Sequence, residues 1–280
     1  MSNLKIAFIG SGAMAGAMIA GLLRENLAEP QNLFAADPRV ERGLELREKY
    51  GVQPFTDNAA AVKEANVVVL SIKPQRLSAV LEGLKGHIPE EALVISIIAG
   101  ATMKKIGKGL KHKKVIRTMP NTPARIGEGI TVWVASDAVS DEQKAQASTI
   151  LSALGEEVFV EDEYYLDMAT ALSGSGPAYI FMFMEAMIDA GVHMGFPRRI
   201  SEKLVVQTMR GSVNFYDRNN MHVAALRNQV TSSGGTSAEA LYYLEKAGVR
   251  TAISRAIWAA YQRSLELGRE EKEHIPKDQE

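Results

Sequence analysis

Up to about residue 160, short apolar runs alternate with stretches in which apolar residues recur every three to four positions. Val67–Ile72 and Leu93–Ile98 are apolar nearly throughout, which is typical of strands buried on both faces of a parallel sheet. The three- to four-residue period predicts helices at Ala13–Arg24 and Val40–Tyr50. Further strands are predicted at Leu4–Ile9, Asn32–Ala36, Val115–Thr118, Ile130–Ala135 and near Val158–Val160. This alternation predicts an α/β domain with a doubly wound parallel sheet.

After Glu161 the strand-like runs stop and long helical patterns follow. The predicted helical stretches are Tyr164–Met194, Arg198–Arg218, His222–Val230 and Thr236 to about Glu271. This change in pattern predicts two domains, an α/β domain at residues 1–161 and an all-α domain at residues 162–280.

The segment 178–194 is apolar nearly all the way round its predicted helix, and only Glu185, Asp189 and His193 interrupt it. A helix without a polar face has to be enclosed by other elements. We expect a second copy of the chain to enclose it, so the all-α domain is predicted to form a homodimer. Burial against the sheet domain is the less favoured alternative.

Charge and composition narrow the class of protein. The 280 residues carry 32 basic and 33 acidic side chains, so we expect neither nucleic acid nor a membrane as a partner. No apolar run reaches the ~18 residues of a membrane span, and the first ten residues lack the order of a signal peptide. A cytoplasmic protein is expected. The absence of cysteine excludes disulfides and thiolate chemistry, and five scattered histidines predict no metal site.

A glycine-rich motif, GSGAMA at residues 10–15, follows the first predicted strand and opens the first predicted helix. Gly10 permits a tight turn, Gly12 lets the backbone approach a pyrophosphate, and Ala15 is small enough for close helix packing. The helix start adds N–H groups and partial positive charge. We therefore predict a Rossmann-type site for NADPH or NADH, with first contacts at Ile9, Gly10, Ser11, Gly12, Ala13 and Met14.

The end of the second predicted strand carries two conflicting signals for the cofactor. Asp37 stands where an acidic residue accepts hydrogen bonds from the adenosine ribose of NADH. Arg39, two positions later, is placed to bind the 2′-phosphate of NADPH. Asp37 before Pro38 also fits an N-cap of the next helix. The sequence leaves the preference between the two cofactors open.

Two later strand ends are predicted to complete the cofactor site. In open α/β sheets, ligands bind outside the carboxyl ends of the strands. Lys73 is expected near the pyrophosphate or the nicotinamide ribose, although a solvated lysine is the ordinary alternative. Ile97 and Ala99 end the next strand with room for a flat nicotinamide ring. The contacts predicted after the Val67–Ile72 strand are Ser71, Ile72, Lys73 and Pro74.

The segment 230–237, VTSSGGTS, places glycines and hydroxyl side chains directly before a helical pattern. Such a turn offers unpaired backbone N–H groups together with hydroxyls, which suits a small anion beside a group that needs a hydrogen-bond donor. A capped helix with a flexible approach is the structural alternative.

These segments together resemble the pyrroline-5-carboxylate reductase family over essentially the whole chain. The matching motifs are GSGAMA, SIKPQ, IIAGAT, RTMPNTP, LSGSGPAY, MGFPR and VTSSGGTS, in this order. The last motif is similar to the signature of the family, which has a proline before the two glycines and a threonine two positions after them. This chain has Ser233 and Ser237 at those two places.

The resemblance implies NAD(P)H-dependent reduction of the cyclic imine 1-pyrroline-5-carboxylate to L-proline, the last step of proline biosynthesis. It also implies a Rossmann domain followed by a helical dimerisation domain, with homodimers that assemble in some members into decamers of five dimers. By the same resemblance Asn58 and Gln229 contact the cofactor, although the family usually has asparagine at position 229. Glu163 is implied near the substrate of the partner subunit.

The turn agrees with imine reduction. The N–H groups of Gly234, Gly235, Thr236 and Ser237 are expected to hold the substrate carboxylate. Thr236 and Ser232 are expected as further contacts to the carboxylate or the ring. Ser237 is the expected catalytic donor to the ring nitrogen, because a protonated iminium needs only an oriented donor.

Three other functions would require different residues or a different behaviour. A 3-hydroxyacid dehydrogenase would need a proton-transferring pair where Ile180 and Met184 stand. A dinucleotide-sensing regulatory protein would bind the cofactor without turnover. A reductase of a related cyclic imine remains an alternative.

Overall fold

The computed structural model describes residues 4–270. Its strands are β1 (Ile6–Ile9), β2 (Leu33–Ala36), β3 (Gln53–Phe55), β4 (Val67–Leu70), β5 (Leu93–Ser96), β6 (Val115–Met119), β7 (Gly129–Ala135) and β8 (Gly155–Phe159). Within the described part of the chain they form one sheet, in the order β3-β2-β1-β4-β5-β6-β7-β8. Every residue of β1, β2, β4 and β5 is buried, as their apolar sequences predict. The prediction of a doubly wound sheet is confirmed.

The sheet differs from the predicted one at its two ends. Neighbouring strands from β3 to β6 are parallel, but β7 runs antiparallel to β6, and β8 is parallel to β7. Only residues 120–128 join β6 to β7, whereas a parallel crossover needs about a dozen residues or more. The short edge strand β3 was not predicted, because it contains Pro54 and is partly exposed.

Helices cover both faces of the sheet. They are α1 (Ala13–Arg24), α2 (Val40–Tyr50), α3 (Asn58–Val62), α4 (Leu77–Leu84), α5 (Met103–Leu110), α6 (Asp141–Ser152) and α7 (Tyr165–Ala169). α1 and α2 have the predicted bounds. Ile6 and Phe8 of β1 face a core cluster shared with α1, α2 and α6. Ala7 and Ile9 face a second cluster shared with α3, α4 and α5. Two buried faces explain the uninterrupted apolar runs.

The remaining helices are α8 (Gly176–His193), α9 (Arg198–Asp217), α10 (Val223–Gln229), α11 (Thr236–Lys246) and α12 (Val249–Glu270). The helical stretch predicted from Tyr164 to Met194 is divided in the structure, because a π-helical turn at Thr170–Gly174 separates α7 from α8. The helix predicted from Thr236 is also interrupted. Gly248 adopts a φ of 69°, which ends α11 before α12 begins. The predicted end at Glu271 lies outside the described residues.

The described residues divide into two compact units, 4–175 with 260–270, and 176–259. The predicted boundary after residue 161 therefore falls inside the first unit. The reason is local packing, since Leu166 and Ala169 of α7 are buried and Ser264 of α12 donates a hydrogen bond to Asp167. No helix within residues 4–270 is long and apolar enough to cross a membrane.

Helix α8 exposes large apolar side chains in the single chain. Ile180, Phe181, Met182 and Met187 are each 44–60% exposed, and Gly191 is the buried residue of this helix. Exposed apolar surface of this kind marks an interaction site. The observation agrees with the dimerisation role expected of this helix.

Candidate cofactor and substrate sites

Gly10 occupies a position that only glycine fits. Its φ is 90°, and a Cβ built on it would lie 2.6 Å from Ile72 Cγ2 and 2.8 Å from the carbonyl oxygen of Ser71. Gly10 N–H donates to Ala36 O at 2.9 Å, and Ser71 Oγ donates to Gly10 O at 2.6 Å. The turn between β1 and α1 is therefore held by the ends of β2 and β4.

Gly12 is glycine for a different reason. It is the N-cap of α1 with no side-chain cap, and a Cβ built on it would meet no protein atom within 4 Å. Packing within the protein therefore does not require glycine here, whereas close approach of a phosphate to the helix start does. Ala15, in the third position of the motif, is completely buried and has to be small.

Asp37 and Arg39 form an ion pair at the end of β2, with Arg39 Nε 2.9 Å from Asp37 Oδ1. The nearly buried carboxylate also accepts from the N–H of Ser11 at 3.3 Å and from the N–H of Arg39 at 3.1 Å. Burial raises the pKa of Asp37, but these hydrogen bonds outweigh it and hold the pKa below its usual value. The N-cap of α2 is Arg39, so Asp37 does not cap this helix as the alternative interpretation expected.

Several of the predicted cofactor residues line a cavity of about 580 Å³. It brings Gly10 and Ile72 together with Asn58, which opens α3. Thr56 and Arg76 also line this cavity and were missed. Thr56 follows β3, a strand that was not predicted, so its place at the carboxyl edge of the sheet was not visible from the sequence.

A second cavity of about 590 Å³ lies along α1 and α2. Gly12 and Ala13 line it together with Arg39 and Arg42. Arg42 was also missed. Its Nε donates to Ser11 O at 2.7 Å, so it supports the glycine-rich turn directly.

The ends of β4 and β5 lie side by side, as predicted for a cofactor edge. Ser71 Oγ bonds the glycine turn, and Ile97 N–H donates to Leu70 O at 3.1 Å. Lys73 is exposed at the start of a short 3₁₀ helix that begins at Pro74. Ile97 and Ala99 are half-buried at this edge.

Glu163 accepts hydrogen bonds from two residues of its own chain. Its Oε1 accepts from the N–H of Met103 at 2.7 Å and from Arg117 Nη1 at 3.2 Å. Arg117 is 3% exposed and also donates to Asp167 Oδ1 at 3.3 Å. Sequence reasoning missed Arg117, because one charge inside an apolar strand gives no signal of its partners.

The turn before α11 belongs to the second unit and begins the helix where the sequence predicts. Gly234 has a φ of 70°, which favours glycine, whereas a Cβ on Gly235 would lie 2.6 Å from Ser232 Oγ, the tip of an exposed side chain that can rotate away. Gly235 is the N-cap and provides no side-chain cap. Ser237 is half-buried at the second helical position. No side chain caps the N–H groups of the first turn, as an anion site requires. The N–H of Gly235, which was expected to bind the substrate carboxylate, instead donates to Ser232 O at 3.1 Å.

Gln229 ends α10 in the same unit. Its Nε2 donates to Met221 Sδ at 3.4 Å, and its side chain is exposed. The cofactor contact implied for Gln229 therefore stays a prediction.

A doubly wound sheet whose first turn demands glycine, followed by a helical unit with an exposed apolar helix, defines a dinucleotide-binding oxidoreductase with a dimerisation domain. The family model described as pyrroline-5-carboxylate reductase dimerisation matches residues 163–267, and the model described as NADP oxidoreductase coenzyme F420-dependent matches residues 5–100. The pyrroline-5-carboxylate reductase of Synechocystis sp. is 40% identical over 95% of this chain and 99% of its own length. The chain belongs to the pyrroline-5-carboxylate reductase family.

Solved structures agree with this assignment. The structure of Plasmodium falciparum pyrroline carboxylate reductase with NADP bound has a TM-score of 0.88 and 31% identity, over 96% of this chain and 99% of that chain. The pyrroline-5-carboxylate reductase of Coxiella burnetii has a TM-score of 0.86 and 36% identity, over 95% and 98% of the two chains. The resemblance deduced from the motifs is confirmed.

Proposed function

We propose that this protein reduces 1-pyrroline-5-carboxylate to L-proline with NADPH or NADH. A hydride joins the imine carbon of the ring and a proton joins the nitrogen, so the C=N double bond becomes a single bond. The observation that carries the proposal is the glycine- and hydroxyl-rich turn at the start of α11, in a chain of this family.

The residues of the first unit fit a dinucleotide. Gly10 is fixed by its φ and by Ile72, and Gly12 leaves the start of α1 open to a phosphate. The bound cofactor supplies the hydride. The proposed contacts are Ile9, Gly10, Ser11, Gly12, Ala13, Met14, Asp37, Arg39, Asn58, Ser71, Ile72, Lys73, Pro74, Ile97, Ala99 and Gln229.

The turn before α11 is the proposed substrate site. Backbone N–H groups of Gly234, Thr236 and Ser237 bind the carboxylate at the positive end of the helix, with Ser232 beside them. The N–H of Gly235 donates to Ser232 O at 3.1 Å and so shapes the turn. The substrate arrives as a protonated iminium, whose nitrogen has no lone pair, so its N–H donates to Ser237 Oγ and is oriented by it. As the hydride joins the carbon, the nitrogen gains a lone pair to which the Ser237 hydroxyl can donate, so no strong acid is needed. The expected contact of Glu163 with a partner's substrate stays a prediction.

The test is a spectrophotometric assay of cofactor oxidation with 1-pyrroline-5-carboxylate, with NADH and NADPH run in parallel and proline identified by chromatography. A six-membered cyclic imine carboxylate serves as the competing substrate. Proline formation with at least one cofactor supports the proposal. Cofactor binding without turnover of either imine identifies a regulatory dinucleotide sensor instead, and faster turnover of the six-membered ring reassigns the substrate.

The assembly is expected to be a homodimer built on α8, supported by the dimerisation family and by the exposed side chains of Phe181 and Met182. A decamer of five dimers and a cytoplasmic location remain expectations from the sequence. Analytical ultracentrifugation tests the first, and cell fractionation tests the second.

A further inference from the structure

Arg117 is a buried cation shared between two carboxylates, Glu163 just before α7 and Asp167 within α7. It lies in β6, is 3% exposed, and reaches Glu163 Oε1 at 3.2 Å and Asp167 Oδ1 at 3.3 Å. An arginine can bridge two carboxylates in this way because its guanidinium presents several donors in a fixed plane. Burying such a group requires partners on every side, since desolvated charges without partners are strongly unfavourable.

One of these carboxylates reaches the start of α5. Glu163 Oε1 accepts the N–H of Met103, the first residue of this helix, at 2.7 Å. Thr102, the N-cap, accepts the N–H of Lys105 at 3.3 Å. Together these two acceptors bind N–H groups of the first helical turn, where a negative charge is favoured. The turn 97–102, which contains Ala99, leads directly into this helix start.

The other carboxylate holds α12 against the same turn. Asp167 Oδ1 accepts from Ser264 Oγ of α12 at 2.7 Å. One helical turn later, α12 passes Gly100 so closely that a Cβ there would lie 3.3 Å from Leu267 C and Gly268 N. Gly100 has a φ of 73°, so both its conformation and the close approach of α12 favour glycine at this place. The contacts form a closed ring. Arg117 of β6 bonds Asp167 of α7, Asp167 bonds Ser264 of α12, and α12 packs on the turn 97–102. From the helix start after this turn, Glu163 leads back to Arg117.

We propose that Arg117, Glu163 and Asp167 are positioning residues that fix the turn 97–102 for the nicotinamide end of the cofactor. This inference rests on the proposed function. The turn follows β5 at the carboxyl edge of the sheet, beside the Ser71 end of β4 that bonds the glycine turn. Because the ring of contacts holds the turn from two sides, losing one charge loosens the nicotinamide end and leaves the adenosine end intact.

The decisive variant is Glu163→Gln, which keeps an oxygen for Met103 N–H and removes the charge opposite Arg117. Binding is measured by calorimetry with the reduced cofactor and with its nicotinamide-free fragment, ADP-ribose or 2′-phospho-ADP-ribose. The variant is expected to bind the intact cofactor about threefold to thirtyfold more weakly, the range typical of networked positions. Its affinity for the fragment is expected to stay as in the wild type. Asp167→Asn should show the same difference between the two ligands.

The matched control is Glu64→Gln, which removes one partner of the exposed Lys5–Glu64 pair in the same unit. It should change neither affinity. Equal losses for cofactor and fragment in Glu163→Gln would overturn the proposal in favour of general damage. An unchanged cofactor affinity with a raised KM for the imine would overturn it in favour of direct substrate contact. If the wild type binds the cofactor but reduces no imine, the proposed function fails while the affinity comparison still tests the positioning role.

Discussion

The guanidinium of Arg39 is bonded to both oxygens of the Asp37 carboxylate, with Nε 2.9 Å from Oδ1 and Nη2 3.1 Å from Oδ2. The two residues that gave opposite signals for the cofactor in the sequence are therefore partners in the fold. Asp37 is nearly buried and Arg39 is two-thirds exposed, so the arginine is the member that can turn away. A 2′-phosphate would compete with Asp37 for Arg39, whereas a ribose hydroxyl would compete with Arg39 for Asp37.

Arg39→Ala is expected to weaken NADPH binding selectively. A charge-assisted hydrogen bond to phosphate is worth about 1.5–3 kcal/mol, so the Kd for NADPH should rise roughly tenfold or more. The Kd for NADH should stay nearly unchanged, because Asp37 keeps its backbone hydrogen bonds. Fluorescence titration of both cofactors measures the difference. Equal losses for the two cofactors would mean that Arg39 serves only the local structure.

Gly12→Val is expected to abolish cofactor binding in a protein that still folds. A Cβ at this position meets no protein atom within 4 Å, so the side chain occupies only the space in front of the helix start. Gly10→Ala is the contrasting variant, because its Cβ collides with Ile72 and Ser71 and its φ is unfavourable. It should lower the melting temperature, whereas Gly12→Val should not. A folded Gly12→Val protein with normal cofactor affinity would contradict the dinucleotide site.

The sequence alone predicts the first two helices correctly. α1 and α2 have the predicted bounds, since their apolar period is clear and Gly51 ends α2 with a φ of 73°. The parallel direction predicted for β7 was wrong, because a residue pattern identifies a strand without its orientation. That orientation depends on the short connection at residues 120–128.

The sequence predicts those parts of the candidate sites that are formed by residues close together in the chain. The glycine turn and the turn before α11 are local, and both were found. Arg117 meets Glu163 and Asp167 across 46 and 50 residues, so their relation depends on the assembled sheet. Arg42 was missed for the same reason, because its contact with Ser11 joins α2 to the first turn.

Thr131→Val is expected to stabilise the protein. Among the buried side-chain nitrogen and oxygen atoms of the described residues, Thr131 Oγ1 in β7 is the one that lacks a hydrogen-bond partner. Replacing its hydroxyl by a methyl group of similar shape removes a desolvation penalty of about 1–3 kcal/mol. A rise of roughly 2–4 °C in melting temperature per kcal/mol is expected. Thr131→Ser, which keeps the hydroxyl and loses the methyl group, should melt earlier, and a lower melting temperature in Thr131→Val would contradict the account.

Acid is expected to destabilise the protein through His112. Burial lowers the pKa of this imidazole, although its bond to Ala92 O at 2.7 Å opposes the shift. The unfolded chain therefore binds a proton more readily than the folded one. The stabilisation is complete above the unfolded pKa of about 6.5 and is lost as the pH falls towards the lower folded value.

His112→Gln keeps a donor for Ala92 O and cannot titrate. The free energy of unfolding, measured by urea titration between pH 8 and pH 5, should fall more steeply for the wild type than for this variant. Parallel curves for the two proteins would show that His112 carries no pH dependence.

Ser237→Ala is expected to lower turnover and to leave stability nearly unchanged. If Ser237 donates to the ring nitrogen as the hydride arrives, its hydrogen bond strengthens in the transition state. One such donor is worth about 2–4 kcal/mol in a site that excludes water, and less for a substrate that is already protonated. We expect a roughly ten- to thousandfold loss, mainly in kcat, with cofactor affinity kept.

Two further variants separate this role from its alternatives. Ser237→Thr keeps the hydroxyl and should remain active, whereas Ser232→Ala should mainly raise KM for the imine. Gly235 is the N-cap of α11, so Ser237→Ala should not show the loss of about 1 kcal/mol that follows removal of a capping side chain. Turnover and melting temperature are measured on the same sample. A Ser237→Ala protein that melts earlier and turns over normally would mean that this hydroxyl supports the helix and takes no part in the chemistry.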